Sequence, residues 1–471
     1  MQLGQLNTDH AGESRMQDNR SVTSSEPGQK RAVGLALTAA TLALLGGQAS
    51  TANAKGQPGE WDIDTAVLFY SETDDRVQAV EPVAEFTRNY DDERKLVIKA
   101  VADALTGASP NGATASDQVQ TFTRPSGNEG YTVQAGEDPL DDTFHDMRAA
   151  LSANWSAPLG SDYAYSVGAY GSGEYDYMSL GLNGSISRYL NNKNTTLNAG
   201  MSFSADNINP EGAIPVGFSR MALRNNKTEE QFQTEFAATR GESSDSKSLL
   251  DLLLGVTQVI NRSTIMQFNY SLSMADGYLT DPFKILSVID DTAGSSLGTN
   301  AVGSDGNFIY VHELRPDSRM KHALYWQTKH MLASGDVIDG SYRFMLDDWG
   351  ITSHTVELKY RYGMGRSYLE PHVRVYLQSE ADFYKRYLTS TEYNGGTPVV
   401  QEATADYRLG EMLSSTLGLK WGYQMTENNE VSIRAEYMKQ TSKGDDGIGV
   451  LASQELYPDT DAYWLQLGYT F

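Results

Sequence analysis

From Trp61 onward the chain alternates apolar and polar residues in short runs separated by turn residues. In "TIMQFNYSLSMADG", Met266, Phe268, Tyr270, Leu272 and Met274 alternate with Gln267, Asn269, Ser271 and Ser273. "TLNAGMSFS" sets Leu197, Ala199, Met201 and Phe203 against Asn198, Gly200, Ser202 and Ser204, and "STLGLKWGY" sets Leu417, Leu419, Trp421 and Tyr423 against Thr416, Gly418, Lys420 and Gly422. A period of two is the mark of a strand with one apolar and one wet face. A soluble sandwich shares that alternation, so the connections decide. Tight ones fall at 89–93, 158–162, 191–195, 261–264, 333–336, 363–367 and 426–429, and long ones at 105–143, 206–247, 277–319, 385–408 and 441–461. Long structureless loops fit a compact soluble domain poorly. Tight turns at one end and long loops at the other are the pattern of an outer-membrane barrel, with the turns periplasmic and the loops extracellular.

Reading strands between these connections predicts sixteen, at 61–70, 76–88, 94–104, 144–156, 162–174, 176–190, 195–205, 248–261, 264–276, 320–333, 337–346, 352–363, 367–384, 409–424, 430–440 and 461–471. The number is even, as a single-chain bacterial barrel requires, and each run is near or above the roughly 9–11 residues a crossing strand needs. The expected fold is therefore all-β: a transmembrane antiparallel β-barrel of about sixteen strands with long extracellular loops. "NFIYVHEL" (307–314) is a candidate extra strand inside a loop. On the last strand Tyr463, Leu465, Leu467, Tyr469 and Phe471 are expected to face lipid, and Trp464, Gln466, Gly468 and Thr470 to face inward. Pairing of this strand with "WDIDTAVLFY" would leave no exposed edge. A terminal aromatic after such a strand resembles the signal read by the bacterial barrel assembly machinery, so that machinery and outer-membrane lipid are the expected partners.

Composition agrees with this picture. The chain has no cysteine, 27 Tyr and 43 Gly, and a net charge of −24. Disulfides and thiolate sites are thereby excluded, and a chain this acidic is a poor binder of nucleic acid. Mean hydropathy is −0.45, and no stretch of the mature chain is long and apolar enough for a spanning helix. Residues 1–54 read as a secretory signal peptide with an extended n-region: Lys30 and Arg31, an apolar run from Ala32 to about Leu45, and the small-x-small "ANA" at 52–54. Met16 is an alternative start. Arg15, Arg20, Lys30 and Arg31 balance Asp9, Glu13, Asp18 and Glu26, so cleavage leaves the net charge at −24, with 55–471 as the mature barrel.

The inward face is where chemistry can be written. On the hairpin His354 to Gln378, alternation turns Glu357, Lys359, Arg361, Glu370, His372 and Arg374 inward. A two-residue turn at Gly365-Arg366 would set Arg361 opposite Glu370, Lys359 opposite His372 and Glu357 opposite Arg374. This charged ladder either tunes which solutes pass or simply solvates the wall with ion pairs. Asp64, Glu81, Glu85, Lys95, Lys99, Asp103, Arg148, Arg343, Arg434 and Glu436 also point inward; they mix both signs, so the sequence predicts no particular ion selectivity. Segments 275–284 and 290–307 are rich in Asp, Asn and Gly, the oxygen ligands calcium uses, but lack the EF-hand pattern. His312 and His322 lack zinc spacing. No metal, cofactor or catalytic residue is assigned. There is no nucleophile elbow or Walker loop, and His145 and His354 near strand ends show no partner constellation, so an enzyme is not expected.

Three stretches, "LTGASPNGATASDQVQTFT" (105–123), "MADGYLTDPFKILS" (274–287) and "LRPDSRMKHALYWQ" (314–327), resemble a family of proteobacterial outer-membrane barrels classified as a domain of unknown function. The resemblance spans the mature chain. Members of that family are often encoded beside a small lipoprotein-like protein, a thioredoxin-like protein and a flavin transferase, so the resemblance implies an envelope redox, export or assembly context, and it carries no catalytic residues. The leading expectation is a porin-like channel for small solutes in the outer membrane of a Gram-negative envelope. The alternative is a non-porin barrel acting in assembly, export or redox with a periplasmic or surface partner, its 105–143 and 206–247 loops folded inward or docked. A rim hydrolase is a third reading.

Overall fold

The computed structural model describes residues 59–74, 76–396 and 398–471, with the side chains of 142–145 and 395 outside that description. The predicted signal peptide, 1–54, lies outside the described residues. In chain order the strands are β1 (Trp61–Glu72), β2 (Gln78–Asn89), β3 (Lys95–Pro110), β4 (Gln120–Thr123), β5 (Gly130–Val133), β6 (Leu140–Leu159), β7 (Tyr163–Gly173), β8 (Tyr177–Leu190), β9 (Thr195–Ile208), β10 (Asp245–Asn261), β11 (Thr264–Gly277), β12 (Ile285–Ile289), β13 (Tyr310–His312), β14 (Ser318–Met331), β15 (Val337–Asp347), β16 (Thr352–Met364), β17 (Ser367–Gln378), β18 (Leu388–Thr389), β19 (Glu411–Gln424), β20 (Glu430–Lys443) and β21 (Thr460–Thr470). Helices α1 (Glu229–Ala238) and α2 (Ser390–Tyr393) lie in connections.

Sixteen strands, β1–β3, β6–β11, β14–β17 and β19–β21, form one closed antiparallel barrel, each beside its neighbour in sequence. The ring closes between β1 and β21, with Thr65 opposite Tyr469, Val67 opposite Leu467 and Phe69 opposite Leu465. Past the last rung, Phe471 N–H donates to the Ile63 carbonyl at 2.9 Å and Ile63 N–H to the Phe471 carbonyl at 3.1 Å. Each of the sixteen predicted runs is a barrel strand. The differences are at the ends: β3 and β6 run past 104 and start before 144, and the run predicted to 384 stops at Gln378. A strand that has left the hydrocarbon no longer needs an apolar stripe, so periodicity fades before pairing does. The segment "NFIYVHEL" does hold a short strand, β13.

Alternation sorts the two faces. On β8 Leu182 is 66% exposed on the outside while Ser179, inside, is 1% exposed. Outward positions form a continuous apolar band that includes Leu151, Val167, Leu254, Leu324, Val356, Val373, Leu417 and Leu465, all exposed. A patch that extensive is not left in water; hydrocarbon covers it. Aromatic residues flank it. Toward the tight turns, Arg94 stacks on Tyr90 and Trp155, Trp421 stacks on Tyr423, and Tyr469 packs edge-on against Phe471. Toward the loops, Tyr437 packs on Tyr463, and His354 lies against Tyr342 and Phe344. Such girdles mark the two interfaces of a membrane barrel.

Leu465→Arg, on the outer face midway along β21, is expected to destabilise the barrel by about 2–4 kcal/mol, the range for a cation near the bilayer midplane. The same change at inward Gln466 should cost less. Urea unfolding in lipid vesicles, followed by heat-modifiable gel mobility, measures the difference.

Candidate functional site

Inside the ring, the two sides differ. On β7–β11 the inward residues are small and polar, and they bond one another: Ser166 with Ser185 at 2.8 Å, Ser187 to Asn198 at 2.7 Å, Ser179 to Asp206 at 2.7 Å and Ser202 to Asp251 at 3.1 Å. On β16–β20 they are charged. Glu357 lies opposite Arg374 and Lys359 opposite His372, across a two-residue turn in which Gly365 takes a φ of +66°. The ion pairs do not follow those cross-strand partners. Glu357 bonds Lys359, two residues along its own strand, at 2.6 Å, and lies 3.1 Å from His372. His372 also meets Glu436 at 3.1 Å, and Arg434 bridges Glu436 at 3.3 Å and Glu370 at 3.7 Å. The flanking pairs Lys359–His372 and Tyr362–Leu369 keep the register expected for Arg361 and Glu370, but the Arg361 guanidinium lies over the Tyr368 ring at 3.7 Å, and the Tyr368 hydroxyl donates to Glu430 at 2.8 Å. Barrel strands stagger, so long side chains reach diagonally and along the strand as well as straight across. Elsewhere Arg148 pairs with Asp103 across β3–β6, and Asp64 accepts the Thr470 hydroxyl at the closing seam.

Above the lumen, the long connections are folded. Segments 111–139 and 278–317 are rooted well apart on the ring, with four strands, β7–β10, between them one way and eight, β15–β2, the other. They nonetheless touch: Ile285 N–H donates to the Asn111 carbonyl at 2.9 Å, and Thr114 N–H to the Ser287 hydroxyl at 3.0 Å. Segments rooted that far apart on a ring can meet only across its opening or within it. Connection 379–410 reaches 111–139 and the connection after β20 through Arg386, which donates to the carbonyls of Gly112 at 2.8 Å, Ala113 at 3.1 Å and Leu456 at 2.6 Å. Gly112 permits the crossing, since its φ is +97° and a Cβ there would stand 2.4 Å from the Ile285 carbonyl oxygen. Strands β13, β12 and β18 form a small sheet in this cap. Leu286, Val288, Val311 and Leu388 of this sheet join Phe218 and Ala403 in an apolar core contributed by three connections.

A second element of the cap is ionic. Arg315 lies 2.8 Å from Asp406 and 2.6 Å from Glu313, the latter an ion pair bent off the hydrogen-bonding angle. Arg408 reaches Asp281 at 2.7 Å and Asp406 at 2.5 Å. Lys284 donates to the Pro110 carbonyl, and the Thr404 hydroxyl to Glu313. Burial would raise both aspartates, yet Arg408, Lys284 and Arg315 hold Asp281 below the usual carboxylate range, and Arg408 with Arg315 holds Asp406 well below it. Burial lifts Glu313 despite Arg315, and pulls Lys284 down despite Asp281 and Asp406. Nearby, His312 is 4% exposed with neither ring nitrogen bonded to protein. Burial, then Arg240, pushes it down to about 3.

Sequence reasoning missed this cluster. Its residues sit in "LTDPFK", "HELRPD" and "ADYRL", which read as polar loops. A partial signal was available: Asp281, Lys284 and Arg315 lie close to prolines inside two of the stretches that carry the family resemblance, whereas Glu313, Asp406 and Arg408 lie outside them. Three carboxylates of the Asp-rich segments 275–284 and 290–307 are engaged by protein: Asp281 by Arg408, Asp291 by Ser390 at 2.5 Å, and Asp305 by Arg220 at 2.8 Å and Lys227 at 3.2 Å. His322 meets the Tyr270 hydroxyl at 2.8 Å on the barrel wall, whereas His312 is in the cap. His354 meets the Tyr342 hydroxyl at 2.7 Å, facing outward; the His145 side chain lies outside the described residues.

A closed ring with an apolar outer band, two aromatic girdles and a polar interior is a transmembrane β-barrel. The chain belongs to the family described as Protein of unknown function (DUF3570), whose model matches residues 34–471. Among curated proteins none matches it in sequence. Solved structures with a similar barrel include CdiB from Acinetobacter baumannii (7% identity, 88% of this chain and 60% of that one, TM-score 0.42). The CymD monoaromatic hydrocarbon channel is similar too (8% identity, 92% of each chain, TM-score 0.37), as is a bacterial polysaccharide outer membrane secretin (8% identity, 88% of this chain and all of that one, TM-score 0.40). The chain spans about 60% of the length of CdiB and of the ferric enterobactin receptor of Pseudomonas aeruginosa.

Asp406→Asn leaves Arg315 and Arg408 short of a charged acceptor. Breaking a buried pair costs about 3–5 kcal/mol, so limited proteolysis should cut the cap of this variant much faster while the barrel keeps its heat-modifiable gel shift. Acid should act through His312. Its folded value is below the roughly 6.5 of an exposed histidine, so an opened cap binds more protons between about 3 and 6.5 and cap stability falls as pH falls through that window. The depressed aspartates withdraw their contribution only below about 4. Proteolysis of 278–317 should be faster at pH 5 than at pH 7.5, and His312→Gln should flatten the difference.

Proposed function

We propose that this protein is an outer-membrane channel for small polar solutes whose mouth is held shut by the cap and passes solute when the cap moves. The tight turns face the periplasm and the cap faces outward. The observation that carries the gating is the meeting of 111–139, 278–317 and 379–410 over the opening, through Arg386 and the ionic cluster. A polar, hydroxyl-rich inner wall supports passage of hydrophilic solutes.

The same covered mouth favours a second reading, a barrel that works with a periplasmic or surface partner in assembly, export or redox and never conducts freely. Planar-bilayer recordings separate the two. The wild type should open rarely, and Arg386→Met and Asp406→Asn should raise open probability several-fold. If both variants keep a folded barrel, lose the cap by proteolysis and still conduct nothing, the channel reading fails and the partner reading stands.

A further inference from the structure

The outward face of β1, β2 and β3 carries a single ionisable residue, Arg88. Its rung runs Trp61, Arg88, Leu96, Trp155 and Val167 across β1, β2, β3, β6 and β7. The next outward rung is Ile63, Phe86, Ile98 and Ala153. Arg88 therefore stands at the edge of the apolar band, one residue before the tight turn that follows β2. Among the described residues it has no hydrogen-bond or ion-pair partner. Its Nε is enclosed, while the half-buried side chain keeps both Nη groups accessible. A guanidinium on a lipid-facing wall calls for an acceptor.

Aromatic rings fix its position. The Arg88 guanidinium lies over the Trp61 ring at 5.6 Å and over the Tyr90 ring at 5.4 Å. Arg94 lies over Tyr90 at 5.6 Å and over Trp155 at 5.7 Å, and the Tyr90 and Trp155 rings are 5.4 Å apart. Three rings and two guanidinium groups thus form one stack, in which cation–π attraction holds each cation against the wall. The neighbouring carboxylates are engaged or turned away. Asp92 pairs with Arg94 at 2.5 Å, and Asp62, on the inward face, accepts from Asn89 at 3.1 Å. Asp91 and Glu93 are exposed at the tip of the turn. Phe471 lies beside Ile63, one outward rung further into the wall, and its oxygen accepts the Ile63 N–H. Arg88 is left as the cation without a protein counterion, at the girdle height where headgroups lie.

We propose that Arg88, flanked by Trp61 and Tyr90, binds the phosphate of an anionic phospholipid in the leaflet around the tight turns, its Nη groups donating to the phosphate oxygens. The site opens onto the bilayer, so the headgroup needs no cavity in the protein. Ile63, Phe86 and Ile98, directly above on the same face, supply the apolar wall along which the acyl chains run. A net negative headgroup is required because a zwitterion carries its own ammonium and leaves the guanidinium uncompensated. The stack presents the two Nη groups already oriented, which suits the fork to phosphate. None of this depends on whether the lumen conducts.

Native mass spectrometry of the purified full chain in detergent tests this, reading the first lipid bound. The chain is titrated separately with phosphatidylglycerol, phosphatidylcholine and phosphatidylethanolamine of the same acyl chains. The wild type should hold phosphatidylglycerol the most tightly. R88Q should weaken it by about tenfold or more, as loss of a charge-assisted contact does, while keeping the heat-modifiable gel shift. R262Q removes an exposed cation from the turn between β10 and β11; it should leave phosphatidylglycerol binding unchanged. Equal losses in R88Q and R262Q would reduce the effect to diffuse surface charge and overturn the site. Unchanged binding by folded R88Q overturns it as well. A wild type that holds phosphatidylcholine or phosphatidylethanolamine as tightly as phosphatidylglycerol overturns it whatever the variants do.

Discussion

Hydrocarbon offers no partner to a backbone N–H or C=O, so each one in the membrane-spanning wall must be satisfied within the protein. Fifteen strand pairings follow from hairpins and longer returns between sequence neighbours; the sixteenth, β1 with β21, joins segments about four hundred residues apart and removes the last free edge. The apolar alternation of the C-terminal strand makes sense only with that seam closed. Open, it would present Tyr463, Leu465 and Leu467 beside an unpaired ladder, a template for aggregation.

Closure also has a consequence for the loops. Once the strands are locked in a ring, connections rooted far apart in sequence hang over one opening. The cap is built from that proximity. Its apolar core draws on three connections, none of which could bury it alone. Its ionic cluster sets Arg315 and Arg408 against Glu313, Asp281 and Asp406, with Lys284 alongside on the Pro110 carbonyl, and breaking such buried pairs costs more than their net contribution to stability. Arg386 works through neutral acceptors, three carbonyls from two other connections.

The lumen divides its charges in an analogous way. Lys359, Glu357, His372, Glu436, Arg434 and Glu370 form one nearly self-neutralising run from β16 to β20. Arg374 is left out of it because Glu357, its cross-strand neighbour, is held by Lys359 on its own strand. An i, i+2 contact within a strand wins here over the contact directly across.

Strand number, the face each side chain takes and the end of the barrel to which each connection belongs were readable along the chain, because period two and turn residues are local properties and parity does the rest. The hairpin register of β16 and β17 was readable too, since a two-residue turn sets it. Tertiary structure alone decided which charges pair, because strand stagger brings Arg434 to Glu370 and His372 to Glu436 across strands no turn connects. It alone decided that "LTDPFK", "LRPD" and "ADYRL" meet, because their contact depends on a ring closed by residues at the opposite end of the sequence. Locality is the dividing line: what two or three neighbouring residues dictate was visible in the chain, and what the closed circumference imposes was not.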